Sequence, residues 1–357
     1  MITVKPAALQ RIAAAVFHKA GSAPTEAEAI STRLVGANLS GHDSHGVVRI
    51  PRYVELMRTG GIAVNQHAKT VFENDTIAVI DGQFGFGQVI GAEAMAIGIA
   101  KAKKTGVAVV ALRHSSHLGR IGDWAEACAE AGYASIHFVN VVGAGAIVAP
   151  FGGGDRRIST NPFSAGMPVT GGDPIILDMA TSKLAEGKVL VAKNKGVEVV
   201  EGAIIDGERQ PTLDPNKLYD PPVGALLPFG EHKGYGLAVF CDLLAGILSG
   251  GQTNHPGVPI KGRVLNNMLS IILDPAPGGD PAGVKREVDS FVAWLKGSPP
   301  LREGSEVMVP GEPERRARRE RISGVPLDDT TWSNILATAA ELGVAKSDVD
   351  ALLRSNH

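Results

Sequence analysis

The sequence predicts an α+β protein: a central block of interleaved strands and helices between two helical ends. Three observations carry that reading. Apolar positions recur at helical spacing before about residue 70 and again after residue 283, with strand-like runs concentrated between them. The composition, 44% hydrophobic and 20% charged over 357 residues, is that of an ordinary globular chain of about two domains. The one glycine-rich turn that follows a strand and opens a helix departs from the dinucleotide fingerprint of a doubly wound sheet. The expected organisation is a discontinuous helical domain, residues 1–70 with 283–357, and an α+β domain over 71–282 with a helical segment near 233–251.

The elements are justified in order. Residues 6–21 place Leu9, Ile12, Val16 and Phe17 on one helical face. Thr25 and Glu28 match a capping box, which opens a second helix running to about Leu39. Pro51 suits the first turn of a third helix, and Gly60-Gly61 ends it. Strand patterns follow at 76–82, 107–113, 134–140, 174–180 and 268–274, the fourth expected to run straight into a helix. Helices are expected over 89–106, 122–132 and 234–251. Asp328 or Asp329 caps a helix ending at Gly343, and Ser347 caps the last one.

Several function classes are disfavoured by the bulk properties. A formal net charge of -2 offers no field for nucleic acid or an anionic membrane, and 5% aromatic residues make no base-stacking platform. Cys128 and Cys241 are the two cysteines, each in an apolar helical stretch, so buried free thiols are expected. The uncharged stretch 131–154 contains Asn140, Pro150 and several glycines, and reads as a strand plus a glycine-rich loop. No signal pattern opens the chain, so a cytoplasmic protein without membrane partners is expected. The charged run "ERRARRER" (314–321) is expected to be a solvated helix face.

The chemistry concentrates in "GHDSHGVVRIPRY" (41–53) and "RHSSHLGR" (113–120). Each holds an HxxH pair, His42/His45 and His114/His117. A metal reading would join these to Asp43 or Asp123, but neither pair has the i, i+4 spacing of a helical zinc site. An acid/base reading rests on position, since the second stretch follows a buried-type strand, a usual place for catalytic groups. Arg49 lies four residues after His45, and a guanidinium fork binds a carboxylate in two parallel hydrogen bonds. A neutral imidazole near pH 7 takes or gives a proton. In "DGQFGFGQVIG" (81–91), Gly85-x-Gly87 is followed by a glycine one residue late, and no acidic residue ends a strand about twenty residues on. That turn is not expected to touch pyrophosphate. "FGEHKGYG" (229–236) places His232 and Lys233 at a helix start, where a phosphate or a simple solvated cap would both fit.

"GHDSHGVVRIPRYVELMRTGGI", "RHSSHLGRIGDWAE", "STNPFSAGMP", "ILDMATS", "FGEHKGYGLA" and "VPGEPERRARRERISGVPL" together resemble the malate/L-lactate dehydrogenase family, also called type-2 ketoacid reductases or L-sulfolactate dehydrogenase-like proteins. "AGYASIHFVNVVG", "EHKGYG" and "LNNM" resemble its hydroxycarboxylate dehydrogenase branch. The resemblance covers nearly the whole chain. It implies a non-Rossmann mixed, largely antiparallel sheet domain with a discontinuous helical domain, a homodimer, and NAD(P)-dependent conversion of a 2-hydroxy acid to a 2-oxo acid. NAD is the expected cofactor, with NADP possible. The resemblance makes His117, or Ser44 and His45, the proton-handling group. Arg49, Tyr53 and Thr160 would bind substrate. Cofactor contacts would come from His45, Gly119, Arg120, Ile121, Asn140, Ile176, Leu177, Asp178, Met179, Ala180, His232, Lys233, Asn266, Pro310, Gly311 and Glu312. No metal is expected.

One position departs from part of the family. Imino-acid reductases within it carry an Asp ten residues after the Asp of "DMA", where this chain has Lys188. That favours a simple 2-hydroxy acid over a cyclic imine. Two rival readings remain at this point: a metal-dependent hydrolase or lyase built on the HxxH pairs, and a non-catalytic ligand-binding protein.

Overall fold

The computed structural model describes residues 2–143, 145–257, 262–278 and 280–354. The first part comprises β1 (Ile2–Val4), α1 (Pro6–Lys19), α2 (Pro24–Leu39) and α3 (Ile50–Arg58). Then come β2 (Lys69–Glu73), β3 (Ile77–Asp81), α4 (Gly87–Thr105), β4 (Val107–Ser116), α5 (Gly122–Glu130) and β5 (Ala134–Val142). β6 (Phe163–Met167), β7 (Ile175–Met179) and α6 (Glu186–Lys195) lead to three short strands, β8 (Ile204–Ile205), β9 (Pro211–Thr212) and β10 (Ala225–Leu226). The chain finishes with α7 (His232–Cys241), β11 (Leu265–Leu273), α8 (Pro281–Lys296), α9 (Glu312–Arg321), β12 (Val325–Leu327), α10 (Asp329–Glu341) and α11 (Lys346–Arg354).

The main sheet has seven strands in the order β2-β3-β4-β11-β5-β6-β7. β3 and β4 pair in parallel, and the other neighbours are antiparallel. The late strand β11 thus inserts between β4 and β5, and its ladder with β4 slips between Asn266 and Met268. A bulge at such a place re-aims side chains and ends regular pairing. α4 and α5 pack on the sheet through Ile90, Ala94, Met95, Trp124 and Cys128. A second apolar cluster joins the two ends of the chain: α1, α2 and α3 meet α10 and α11, and β1 pairs with β12. Phe17, Tyr53 and Phe86 form a ring cluster there, with centroids 5.8–6.3 Å apart. Edge-to-face packing of this kind fixes Tyr53 at the junction of the helical layer and the sheet.

Several local expectations are corrected. α2 begins at Pro24, and no side chain caps it; the Ala23 N–H donates to Asn65 Oδ1 at 2.6 Å, so a distant loop replaces the expected capping box. α11 begins at Lys346, so Ser347 lies inside it. Asp328 does cap α10, accepting from the Thr331 N–H. β7 does not run straight into a helix: residues 180–185 intervene before α6. The apolar helix at 234–251 starts earlier, at His232, and passes into a π-helical turn at Asp242–Ile247. Strands β1, β2, β6 and β12 carry too little periodic signal to have been expected. The run 314–321 lies on α9 but is not simply solvated. Arg318 donates to Ser40 Oγ and Glu126, and Arg321 to Asp43 and the Asn38 carbonyl, tying the C-terminal part to the turn after α2.

Candidate active site

The turn 41–50 is organised by a residue outside it. Asn38, fully buried at the end of α2, accepts from the Val47 N–H at 2.9 Å and donates to Asp43 at 2.7 Å. Gly46 is required here, because a Cβ would fall 2.2 Å from Asn38 Oδ1. The chain consequently makes two short 3-10 turns, Asp43–His45 and Val47–Arg49, before entering α3. This geometry lets the Arg49 Nε–H donate to the Ser44 carbonyl at 2.6 Å. Gly187, in the first turn of α6, presses against Ser44; a Cβ at 187 would lie 2.4 Å from that of Ser44.

The second wall is the loop after β4. Asn266 and Asn267, at the bulge in β11, hold it: Asn266 Oδ1 accepts from the Leu118 N–H at 2.8 Å and Asn267 Oδ1 from the His114 N–H at 3.0 Å. His114 takes a positive φ of 52° and turns to Asp81 at 3.2 Å, while His117 points elsewhere. The first HxxH pair is divided in the same way, since His42 goes to Glu314 at 3.0 Å. The remaining members meet: the His45 and His117 rings stack with centroids 5.3 Å apart and an 11° interplanar angle. Tyr53 Oη lies 2.6 Å from His117 Nδ1, and Gln88 Nε2 donates to Tyr53 Oη at 3.1 Å. Among the described residues, no group of three or more His, Cys, Asp or Glu side chains is arranged to hold a metal ion.

The electrostatics follow from burial and one cation. Burial and then the Arg49 charge push His117 down to about 3. Burial, followed by His117 and Arg49, holds His45 well below its ordinary value. Burial pushes Tyr53 up to about 12, with Arg49 and the Gln88 hydrogen bond pulling against it. Both imidazoles and the phenol are therefore neutral near pH 7. Arg49 itself has no carboxylate within ion-pairing distance among the described residues. His45 Nδ1 is buried and has no hydrogen-bond partner.

The other expected site residues divide into those already engaged and those still open. Arg120 is fully buried and pairs with Asp123 at 2.8 Å, Glu126 at 2.7 Å and Asp178 at 3.7 Å. Gly119, at φ 74°, and the buried Ile121 flank it. Asn140 and Asn266 are saturated inside the protein. Asn140 donates to Asp242 and to the Gln252 carbonyl and accepts from Asn267, and Asn266 donates to the Asn140 carbonyl. Their side chains brace the His117 loop. Residues 176–180 lie on and just beyond edge strand β7, where the Ile176 N–H donates to the Pro310 carbonyl and Gly311 sits against Ile176. Leu177, Met179 and Ala180 are half-buried there, and Glu312 accepts from Lys296 and the Val309 N–H. The Thr160 carbonyl accepts from both the N–H and the hydroxyl of Thr181, whose own carbonyl accepts from the Phe229 N–H. His232 and Lys233 stand exposed just beyond, in the first turn of α7.

Asn38, Gln88, Asn267 and Arg318 shape the site without being expected as site residues. Local signals were present: Gln88 follows Gly87, Asn267 lies in "LNNM" and Arg318 in the charged run 314–321. That glycine serves close packing: a Cβ there would lie 2.3 Å from the His117 carbonyl oxygen.

A family model described as malate/L-lactate dehydrogenase matches residues 4–336. The chain belongs to the malate/L-lactate dehydrogenase family. Within this family it is 45% identical over 340 residues to hydroxycarboxylate dehydrogenase B of Escherichia coli strain K12, covering 94% of this chain and 93% of that one. The solved sulfolactate dehydrogenase of Methanocaldococcus jannaschii superposes with a TM-score of 0.85 at 33% identity, covering 97% of this chain and 99% of that one. The Δ1-piperideine-2-carboxylate reductase of Pseudomonas syringae pv. tomato superposes with a TM-score of 0.83 at 29% identity, covering 95% and 100%. The fold is thus the L-sulfolactate dehydrogenase-like α+β fold that the motifs implied. The hydrolase or lyase reading has no support, since both HxxH pairs are split and these relatives are dehydrogenases and a reductase.

Proposed function

We propose that this family member interconverts a 2-hydroxy acid and a 2-oxo acid, with Arg49 holding the carboxylate and His117 handling the proton. One observation carries the reading. Among the described residues, a partly buried guanidinium stands without a counter-ion beside two imidazoles and a phenol, with its Nε committed to Ser44 and its terminal nitrogens directed to no carboxylate. Such a charge is stabilised by an anionic ligand, and a carboxylate matches its planar fork. Binding that carboxylate also offsets the charge that depresses His117, so its proton affinity rises when substrate arrives. His117 then takes the hydroxyl proton during oxidation and returns it during reduction. His45, stacked on His117, keeps that ring in its plane and offers its open Nδ1 to ligand.

A nicotinamide cofactor, when bound, accepts or supplies the hydride at C2. The residues fit such a group: His45 Nδ1 is a buried unpaired polar atom in the site, and His232 and Lys233 lie exposed at an open helix start that suits pyrophosphate. The edge 176–180 with Pro310, Gly311 and Glu312 would border it. NAD is the proposed form and NADP the alternative. Lys188 in α6, where the imino-acid reductases carry Asp, supports an open-chain substrate.

A homodimer is supported by an exposed apolar face after the first turn of α7, where Phe240, Leu243, Ile247 and Leu248 are 40–59% exposed. A cytoplasmic location is supported by two buried free thiols. Among the described residues, no helix is long and apolar enough to cross a membrane. The division into residues 1–70 with 283–357 against 71–282 is supported by the shared apolar cluster of the two ends, although α8 and α9 stand outside that cluster. The test of the function is a panel of 2-oxo acids run with NADH and with NADPH. Turnover of a 2-oxo acid with either is expected; no cofactor oxidation across the panel would overturn the reading.

A further inference from the structure

We propose that Gln88 is a positioning residue that decides, through Tyr53, which ring nitrogen of His117 carries its hydrogen. The inference rests on His117 handling the proton, and it deepens that reading. Gln88 is 1% exposed and Tyr53 2% exposed, so bulk solvent does not compete for either hydrogen-bonding role. The Gln88 amide donates to Tyr53 Oη at 3.1 Å. The phenol's own hydrogen is then free for its other neighbour, His117 Nδ1, 2.6 Å away. A neutral imidazole that accepts at Nδ1 carries its hydrogen at Nε2. That form positions the carbonyl oxygen of a 2-oxo acid by a hydrogen bond; the proton delivered in reduction comes from the doubly protonated ring, the state that oxidation leaves behind.

Gln88 Oε1 is buried and has no hydrogen-bond partner. Turning the amide over brings this oxygen to the phenol. Tyr53 then donates to Oε1 and accepts from His117 Nδ1–H, which leaves the Nε2 lone pair bare to receive the hydroxyl proton in oxidation. Each arrangement leaves one amide atom without a partner; the structure holds the first, and the turned-over amide is the minor state. A methionine would fill the same space with no unpaired polar atom. Stability alone therefore gives no reason for glutamine here. The surrounding glycines support the arrangement. A Cβ at Gly87 would strike the His117 carbonyl, and one at Gly119 would crowd Gln88 Nε2 at 3.3 Å.

The test reads the tautomer directly, on the full-length protein labelled with ring-15N histidine, by long-range 1H–15N correlation. His117 is assigned by the signal lost in His117→Gln. The unliganded wild type is expected to hold the Nε2–H form. Gln88→Met leaves the Tyr53 hydroxyl with His117 Nδ1 to donate to and should hold the Nε2–H form. Gln88→Glu, read at pH 8, should favour Nδ1–H, because a carboxylate accepts from Tyr53. Turnover of the 2-hydroxy acid, which needs the bare Nε2, should fall at least about tenfold in Gln88→Met, with the KM for oxidised cofactor unchanged. A His117 signal that stays Nε2–H in Gln88→Glu, or a wild type in the Nδ1–H form, would overturn the proposal. If the buried charge of Gln88→Glu unfolds the chain, Gln88→Met decides by turnover, and an unchanged rate would overturn the proposal. A tautomer that responds to residue 88 while His117→Gln keeps full turnover would leave the positioning intact and sink the acid/base assignment. An inactive His117→Gln with an indifferent tautomer would do the reverse.

Discussion

Arg49 and Arg120 were both marked from the sequence as site residues, and their surroundings differ. Arg120 sits among Asp123, Glu126 and Asp178; burial alone would lower its pKa, but those carboxylates carry it above its ordinary range. Glu126 also receives Arg318 from α9, so the cluster links the sheet layer to the C-terminal part. Among the described residues, Arg49 has a single bond, to a backbone carbonyl. One region is electrostatically closed; the other is open, as the proposed carboxylate clamp requires. The histidines repeat the contrast. His137 and His117 are both pushed down to about 3 by burial, but His137 is bonded to Ser135 and Ser270 on both ring nitrogens, whereas His117 has only Tyr53 among the described residues. A depressed pKa therefore marks burial, and the unmet valence marks the site.

The sharpest test of that contrast is His117→Ala against His137→Ala. His117→Ala should lower turnover by about 10²–10⁴-fold, with cofactor affinity by fluorescence titration unchanged. His137→Ala should leave turnover per folded molecule alone. Equal losses of turnover would erase the distinction. Arg120→Met comes next. It leaves Asp178 without its cation and Asp123 and Glu126 with only Arg33 and Arg318, and should destabilise the fold by about 3 kcal/mol in urea titration. Any remaining folded fraction should bind substrate normally.

Arg49→Lys should leave the unfolding midpoint in place and weaken substrate binding by about 1.5–3 kcal/mol, because the point charge keeps no planar fork. Steady-state kinetics with acid and cofactor varied separately will show this; a normal KM for the acid would remove the carboxylate clamp. The last effect is the acid limb of stability. The unfolded chain binds a proton on His137 below about its ordinary 6.5, and the folded chain does not until about 3. Stability is therefore full above 6.5 and declines as pH falls toward 3, by about 1.4 kcal/mol per pH unit for each such histidine. Gln at 137 should reduce that slope by about one proton in urea titrations from pH 7.5 to 4.5. An unchanged slope would show that His137 is not held neutral in the fold.

Much of this protein was readable from local pattern. The helices α1, α4 and α5, the strands β4, β5 and β11 and the cap at Asp328 follow from periodicity and side-chain chemistry that act within a few residues. The motifs around residues 41–53 and 113–120 carried both the family and the residue types of the site. Tertiary structure decided which of those residues remain available. Asn140, Asn266 and Arg120 carry the right chemistry for ligand contacts, but partners 102, 126 and 6 positions away satisfy them. Gln88 lies in the glycine-rich turn 81–91, but nothing local marks it for the proposed role, which depends on Gly87 letting the His117 backbone close onto the start of α4 and on Tyr53 arriving from α3. A sequence fixes which donors, acceptors and charges a chain possesses. Which of them are left unsatisfied is a property of three-dimensional packing, because it depends on contacts between segments far apart in the chain.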